Sequence, residues 1–275
     1  MIIMTDPRSR ALSKVPAITL GFWTIKILAT TLGETGGDTV TMTWLGETTA
    51  HPVPYGYLIG TAIFGVVLVA LVFAQIRARS FNAWLYWATI VASTTCGTTL
   101  ADFADRSLGI GYPGGSLLLF ACVLLSLFAW HRTLGTVDAN TIVTPRAETF
   151  YWLTITFSQT LGTALGDWAA DDFSEGGWGL GYSGAALVFG GALALLAILY
   201  FTTKTSRVLL FWAAFILTRP LGATVGDFLD KPVAKGGLEL SRPLASLAMA
   251  VAIVLLVLLL PQRPGQHPGS GEAAS

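Results

Sequence analysis

The chain has 275 residues, 53% of them hydrophobic and only 12% charged, with a mean hydropathy of +0.65 and a formal net charge of zero. Soluble domains carry about 25% charged residues, so the composition excludes an ordinary soluble domain and marks an integral membrane protein. The balanced charge leaves no basic footprint for nucleic acid.

In chain order, residues 1–14 form an N-terminal segment, expected to be cytoplasmic, and are followed by apolar runs near 15–38, 54–76, 82–104, 112–131, 147–170, 180–202, 206–229 and 242–260. Each is close to the ~20 residues that cross a bilayer as helix, so eight spans are expected. They group into four units, 15–76, 77–131, 132–202 and 203–260, and residues 261–275 read as a disordered Pro/Gly/Ser tail without a function. Lys26 interrupts the first run and no small-residue cleavage pattern follows it, which argues against a cleaved signal peptide.

The four units share a register. Trp23, Trp87, Trp152 and Trp212 are each followed by an aspartate fifteen residues on: Asp38, Asp102, Asp167 and Asp227. A glycine stands ten residues after each tryptophan (Gly33, Gly97, Gly162, Gly222), and a second small residue precedes each aspartate (Gly37, Ala101, Gly166, Gly226). Constant spacing in four copies is an internal repeat, expected to be a helical hairpin per copy. Small residues four apart let helices approach closely, so the glycines read as packing scaffold. The tryptophans, about 22 Å from the aspartates along a helix and so toward the opposite interface, read as interfacial or packing anchors rather than ligand contacts.

Stepping back by four from each aspartate stays on one helix face. The stripes read Asp38, Glu34, Thr30, Lys26; Asp102, Thr98, Thr94, Ile90; Asp167, Thr163, Gln159, Ile155; and Asp227, Ala223, Arg219, Phe215. A face this polar is costly against lipid. The odd helices are therefore expected around a central polar axis, with the even ones outside. Helices 3 and 7 add a second acid and a base, Asp105-Arg106 and Asp230-Lys231, and repeats 2 and 3 share Gly-x-Gly-Tyr before the next span (Gly109 to Tyr112, Gly179 to Tyr182). Pro220, mid-helix after Arg219, frees backbone carbonyls and is a candidate gate.

Basic residues set orientation. Arg8, Arg10, Lys14, Arg77, Arg79, Arg132, Arg146, Lys204, Arg207 and Arg263 lie at the ends near the termini, against Arg106, Lys231, Lys235 and Arg242 opposite. Both termini are thus expected in the cytoplasm, and the outer mouth is acidic. Cys96 and Cys122 fall inside apolar runs and read as core, and the scattered His51, His131 and His267 argue against a haem or imidazole metal site.

Lys14 to Trp23 and Lys26 to Asp38 resemble a bacterial family of uncharacterised membrane proteins built from tandem two-helix repeats of unknown function, each with a characteristic tryptophan. The likeness covers about residues 14–260. It implies a multi-pass protein of the bacterial inner membrane and no established activity.

Carboxylates beside threonine hydroxyls suit hard cations. The expected function is a small transporter or channel-like protein for a metal ion or a proton-coupled cation. Its pathway would comprise Asp38, Asp102, Asp167, Asp227, Glu34, Thr30, Thr94, Thr98, Gln159 and Thr163, with Asp105 and Asp230 as secondary acids. The four aspartates could hold a divalent cation; no other cofactor is expected. Lys26 and Arg219 would lock to the carboxylates when the site is empty, or else mark an anion as the bound species. The alternatives are a sensor or assembly protein with a structural polar core, and a membrane enzyme acting at the outer face. No nucleophile–base pair or cofactor motif supports an enzyme.

Overall fold

The computed structural model describes residues 13–266, all-helical apart from one isolated main-chain bridge. Residues 1–12 and 267–275, Arg8, Arg10 and His267 among them, lie outside the described residues. Eight α-helices follow one another: α1 (Leu20–Asp38), α2 (Gly56–Arg77), α3 (Ala83–Asp102), α4 (Tyr112–Leu134), α5 (Pro145–Ala170), α6 (Gly181–Thr202), α7 (Arg207–Asp230) and α8 (Arg242–Leu259). The odd helices start on side-chain caps: Thr19, Asn82, Thr144 and Ser206 each accept a hydrogen bond from the backbone N–H three residues on. Two of the even helices, α4 and α8, instead carry a proline in the first turn, where no N–H is lost to the helix. α7 continues through Pro220.

Five helices (α2, α4, α6, α7 and α8) are long and apolar enough to cross a membrane by length and composition. The apolar windows of the four even helices are only 6–28% buried, against 56% for α7. Helices α1, α3, α5 and α7 form a closed ring in which each packs on two others, α1 on α3 and α7, and α5 on α3 and α7. The even helices lie outside this ring.

The expected hairpin within each repeat is not the packing unit. α2 packs chiefly on α3, α4 on α5 and α6 on α7, while α8 returns to α1. Each even helix therefore buries its inner side against the next repeat, and the last closes on the first. The connecting loops place the even helix beside the following odd helix, and the shared spacing carries no information about that choice.

Three sets of contacts run around the ring with the same offset. Phe22, Tyr86, Tyr151 and Phe211, the residues before the repeat tryptophans, pack on Trp87, Trp152, Trp212 and Trp23 at centroid separations of 5.5, 5.7, 6.1 and 5.9 Å. Further along, a Cβ on Gly33, Gly97, Gly162 or Gly222 would strike Thr94, Gln159, Arg219 or Thr30, in each case seven residues after the next tryptophan. One turn beyond, Gly37, Gly166 and Gly226 lie against Thr98, Ala223 and Glu34. Glycine is required because the neighbouring helix occupies the space a side chain would need.

The tryptophans act as packing anchors. Trp87, Trp152 and Trp212 are buried, and Trp23 is half-buried beside them, in an aromatic cluster that closes one end of the ring. Phe22, Tyr86, Tyr151 and Phe211, one place before them, continue the inward stripes by another step of four and bring the tryptophans into this cluster. Over this cluster lie residues 13–17 and 262–265. Residues 13–17 are extended rather than the start of the first span, and they pair with the first part of the expected tail. Ala17 donates to the Arg263 carbonyl at 2.8 Å, Gly265 to Val15 at 2.8 Å, and the Trp87 indole to Gln262 Oε1 at 3.1 Å. Buried backbone needs partners, and each segment supplies the other's.

Candidate functional site

The ring orders its inward residues in layers one helical turn apart. Nearest the aromatic end are Lys26, Ile90, Ile155 and Phe215, then Thr30, Thr94, Gln159 and Arg219. Glu34, Thr98, Thr163 and Ala223 follow, and then the aspartates. Apart from Ala223 and the three apolar residues of the first layer, every member is polar or charged, and all are buried.

Arg219 crosses the axis. Its Nη2 donates to Glu34 Oε2 at 2.9 Å, to Thr98 Oγ1 at 2.6 Å and to Thr163 Oγ1, thereby joining α7 to α1, α3 and α5. The fourth residue at that level is Ala223, on the arginine's own helix. One guanidinium thus fills a position that four polar residues could have shared.

Lys26 does not pair with the acids. Its ammonium lies 3.3 Å from Thr218 Oγ1 and 4.1 Å from the centroid of the Phe215 ring, with no carboxylate within ion-pair distance among the described residues. It is too deep toward the aromatic end to reach Glu34, which Arg219 already holds.

At the aspartate end the counter-charges come from residues read in the sequence as loop bases. Lys231, one turn after Asp227, turns back into the ring. It donates to Asp38 Oδ2 and lies 3.0 Å from Asp227 Oδ1, with Met42 Sδ at 3.5 Å. Arg106 does the same for Asp102, Nε to Oδ1 at 2.8 Å. The signal was present as a base four residues after an aspartate, the helical spacing of an ion pair. Asp230 has Arg242 Nε at 3.6 Å, Asp171 accepts from the Tyr112 hydroxyl, and Asp167 has no ion pair among the described residues. Tyr112 and Tyr182 end the two Gly-x-Gly-Tyr runs seen in the sequence, and Tyr57, after Gly56 at the start of α2, is the equivalent that the sequence reading missed; all three are buried.

Asp105 stands just past α3 in a π-helical turn, Phe103–Ser107. Burial, with the Asp102 charge beside it and against the pull of Arg106, pushes its carboxyl up to about 6.

Glu34, Asp38 and Asp227 offer three oxygens within 4.8 Å of one another, and Asp38 Oδ1 has no hydrogen-bond partner. An all-carboxylate donor set fits a hard divalent cation. Such an ion would sit where the Lys231 ammonium now bridges Asp38 and Asp227.

The family described as Repeat of Unknown Function (DUF347) matches residues 21–81, 85–136, 150–206 and 210–261. Each match begins two residues before a repeat tryptophan. Neither the curated proteins nor the solved structures contain a match to the chain. The chain belongs to the Repeat of Unknown Function (DUF347) family, with four tandem copies.

Proposed function

We propose that all eight helices cross the bilayer of a bacterial inner membrane, with both termini cytoplasmic, and that the protein carries a cation, exchanging it with protons, through the ring formed by the odd helices. The observation that carries this reading is a charge imbalance. Setting aside the Glu34–Arg219 pair, the aspartate end buries six carboxylates (Asp38, Asp102, Asp167, Asp171, Asp227 and Asp230) against three bases (Arg106, Lys231 and Arg242). Buried charge without compensation is expensive, so the surplus is offset by protons or by a bound cation. Either partner can replace the other, which is what exchange requires.

Lys231 and Arg219 act as tethered cations. They hold the carboxylates when no ion is bound, and an entering ion must displace Lys231 from Asp38 and Asp227. Lys26 is not part of this exchange. The test is flux in proteoliposomes, with Mn²⁺ and Na⁺ as probes across an imposed proton gradient. Asp102→Asn combined with Asp227→Asn abolishes uptake on this reading; uptake at the wild-type rate contradicts it.

A further inference from the structure

Met42 stands where the other three copies carry an ionisable group. The residues four places after the repeat aspartates are Met42, Arg106, Asp171 and Lys231. Met42 lies in the π-helical turn Thr39–Trp44, which continues α1 beyond Asp38, and it is 2% exposed. Its thioether is turned toward the charged end of the ring, with Sδ 3.5 Å from the Lys231 ammonium. A leucine would fill nearly the same volume and offer that ammonium no acceptor.

The Lys231 ammonium marks the place that a free cation would take. Around Nζ stand Asp38 Oδ2, Asp227 Oδ1 at 3.0 Å and Met42 Sδ at 3.5 Å. Glu34 adds an oxygen within 4.8 Å of one on each aspartate. A single ammonium answers only one of the two carboxylates that it bridges. Asp38 Oδ1, on a residue 0% exposed, is left without a hydrogen bond. A divalent ion in the same place would answer both charges. It would draw the carboxylate oxygens in to about 2.0–2.2 Å, and the unbranched methionine side chain has the freedom to follow.

The sulphur decides which divalent ion. Mg²⁺ and Ca²⁺ are hard cations that take oxygen ligands, whereas softer metal ions accept a thioether. We propose that Met42 is a metal ligand and the specificity-determining residue of the carboxylate site, so that the cargo is a divalent transition ion rather than Mg²⁺ or Ca²⁺. The inference rests on the cation-exchange reading above and adds the class of ion to it. When Lys231 swings away, Asp38, Asp227 and Met42 remain as a mixed oxygen and sulphur donor set around the vacated position.

The test compares Cd²⁺ with Ca²⁺, ions of similar size that differ chiefly in softness. Both are titrated by calorimetry into the full chain in nanodiscs, with the free cysteines Cys96 and Cys122 replaced by alanine so that no thiol competes for Cd²⁺. Met42→Leu weakens Cd²⁺ by about tenfold or more, as loss of a metal-site contact does, and leaves Ca²⁺ unchanged. X-ray absorption at the cadmium edge shows one sulphur among oxygens in the parent chain, and oxygens alone in Met42→Leu. Cd²⁺ affinity that is unchanged in Met42→Leu, or that falls together with that for Ca²⁺, overturns the inference. So does an oxygen-only shell in the parent, which is read without any change at position 42 and covers a Met42→Leu that fails to fold. Failure of the cation reading looks different, and takes this inference with it: neither ion binds, or both bind undiminished when Asp38→Asn is combined with Asp227→Asn.

Discussion

Gly222 of α7 lies against Thr30 of α1, and this contact closes the ring. It repeats between the last and first copies what Gly33 does with Thr94, Gly97 with Gln159 and Gly162 with Arg219. A four-copy array could have remained open. Here the final copy meets the first through the same residues, and α8 with residues 262–265 seals the seam.

The glycine contacts predict opposite signs for one chemical change. A methyl at Gly97 would approach the Gln159 carbonyl carbon and the Thr160 amide nitrogen at 2.9 Å, both backbone atoms that cannot step aside. Gly97→Ala should cost about 1–3 kcal/mol through overpacking. Gly191 of α6 has nothing within 4 Å, so Gly191→Ala should be neutral or stabilising by up to about 1 kcal/mol. Thermal unfolding in detergent micelles, followed by tryptophan fluorescence, separates the two.

Lys231 makes a prediction that couples stability to metal. Lys231→Met leaves Asp38 and Asp227 buried without their shared ammonium. Removing one partner of a buried ion pair costs about 3–5 kcal/mol. Mn²⁺ should restore more of the melting temperature in this variant than it adds to the wild type, because no tethered cation competes for the carboxylates. Equal shifts in both proteins would place the metal elsewhere.

Asp105 gives the pH dependence. Its folded-state value of about 6 lies above the ordinary 3.8, so the folded protein holds the proton more tightly between those values. Stability contributed by the protonated form is therefore complete below about pH 4 and is lost as pH rises through about 6. Asp105→Asn has no proton to lose. Its melting temperature relative to wild type should climb by a few degrees across that window and level off above it; a constant difference from acid to neutral pH contradicts the assignment.

In the aromatic cluster the Tyr86 and Tyr151 hydroxyls meet at 2.6 Å, both residues 0% exposed. Either single change to phenylalanine strands a buried hydroxyl at a cost of about 1–3 kcal/mol, whereas the double change strands none. The two single effects should exceed the double in a thermodynamic cycle, and strict additivity would show that the pair is not coupled.

Much of this was legible in the sequence. The tryptophan-to-aspartate spacing fixes the depth of every layer, and the polar stripe identifies which helices face inward, because helical periodicity carries that information directly. The partner of each even helix was not legible, since α2 could meet α1 or α3 without changing any spacing. Nor was the isolation of Lys26, which shares a stripe with Glu34 while Arg219, from another helix, takes the carboxylate. Lys231 was visible only as a base after an acid, and its reach back to Asp38 depends on how α7 lies beside α1. The extended clasp of residues 13–17 and 262–265 was hidden in composition that resembles a loose tail.

The most direct test of the account is Mn²⁺ binding to the protein in nanodiscs, read by the loss of the free-ion signal in electron paramagnetic resonance. The account predicts a saturable site that disappears in Asp38→Asn combined with Asp227→Asn. It also predicts tighter binding in Lys231→Met, where the competing ammonium is gone. Mn²⁺ binding that is absent from the wild type and from Lys231→Met alike, or unaltered by loss of both aspartates, would contradict a cation site at this end of the ring.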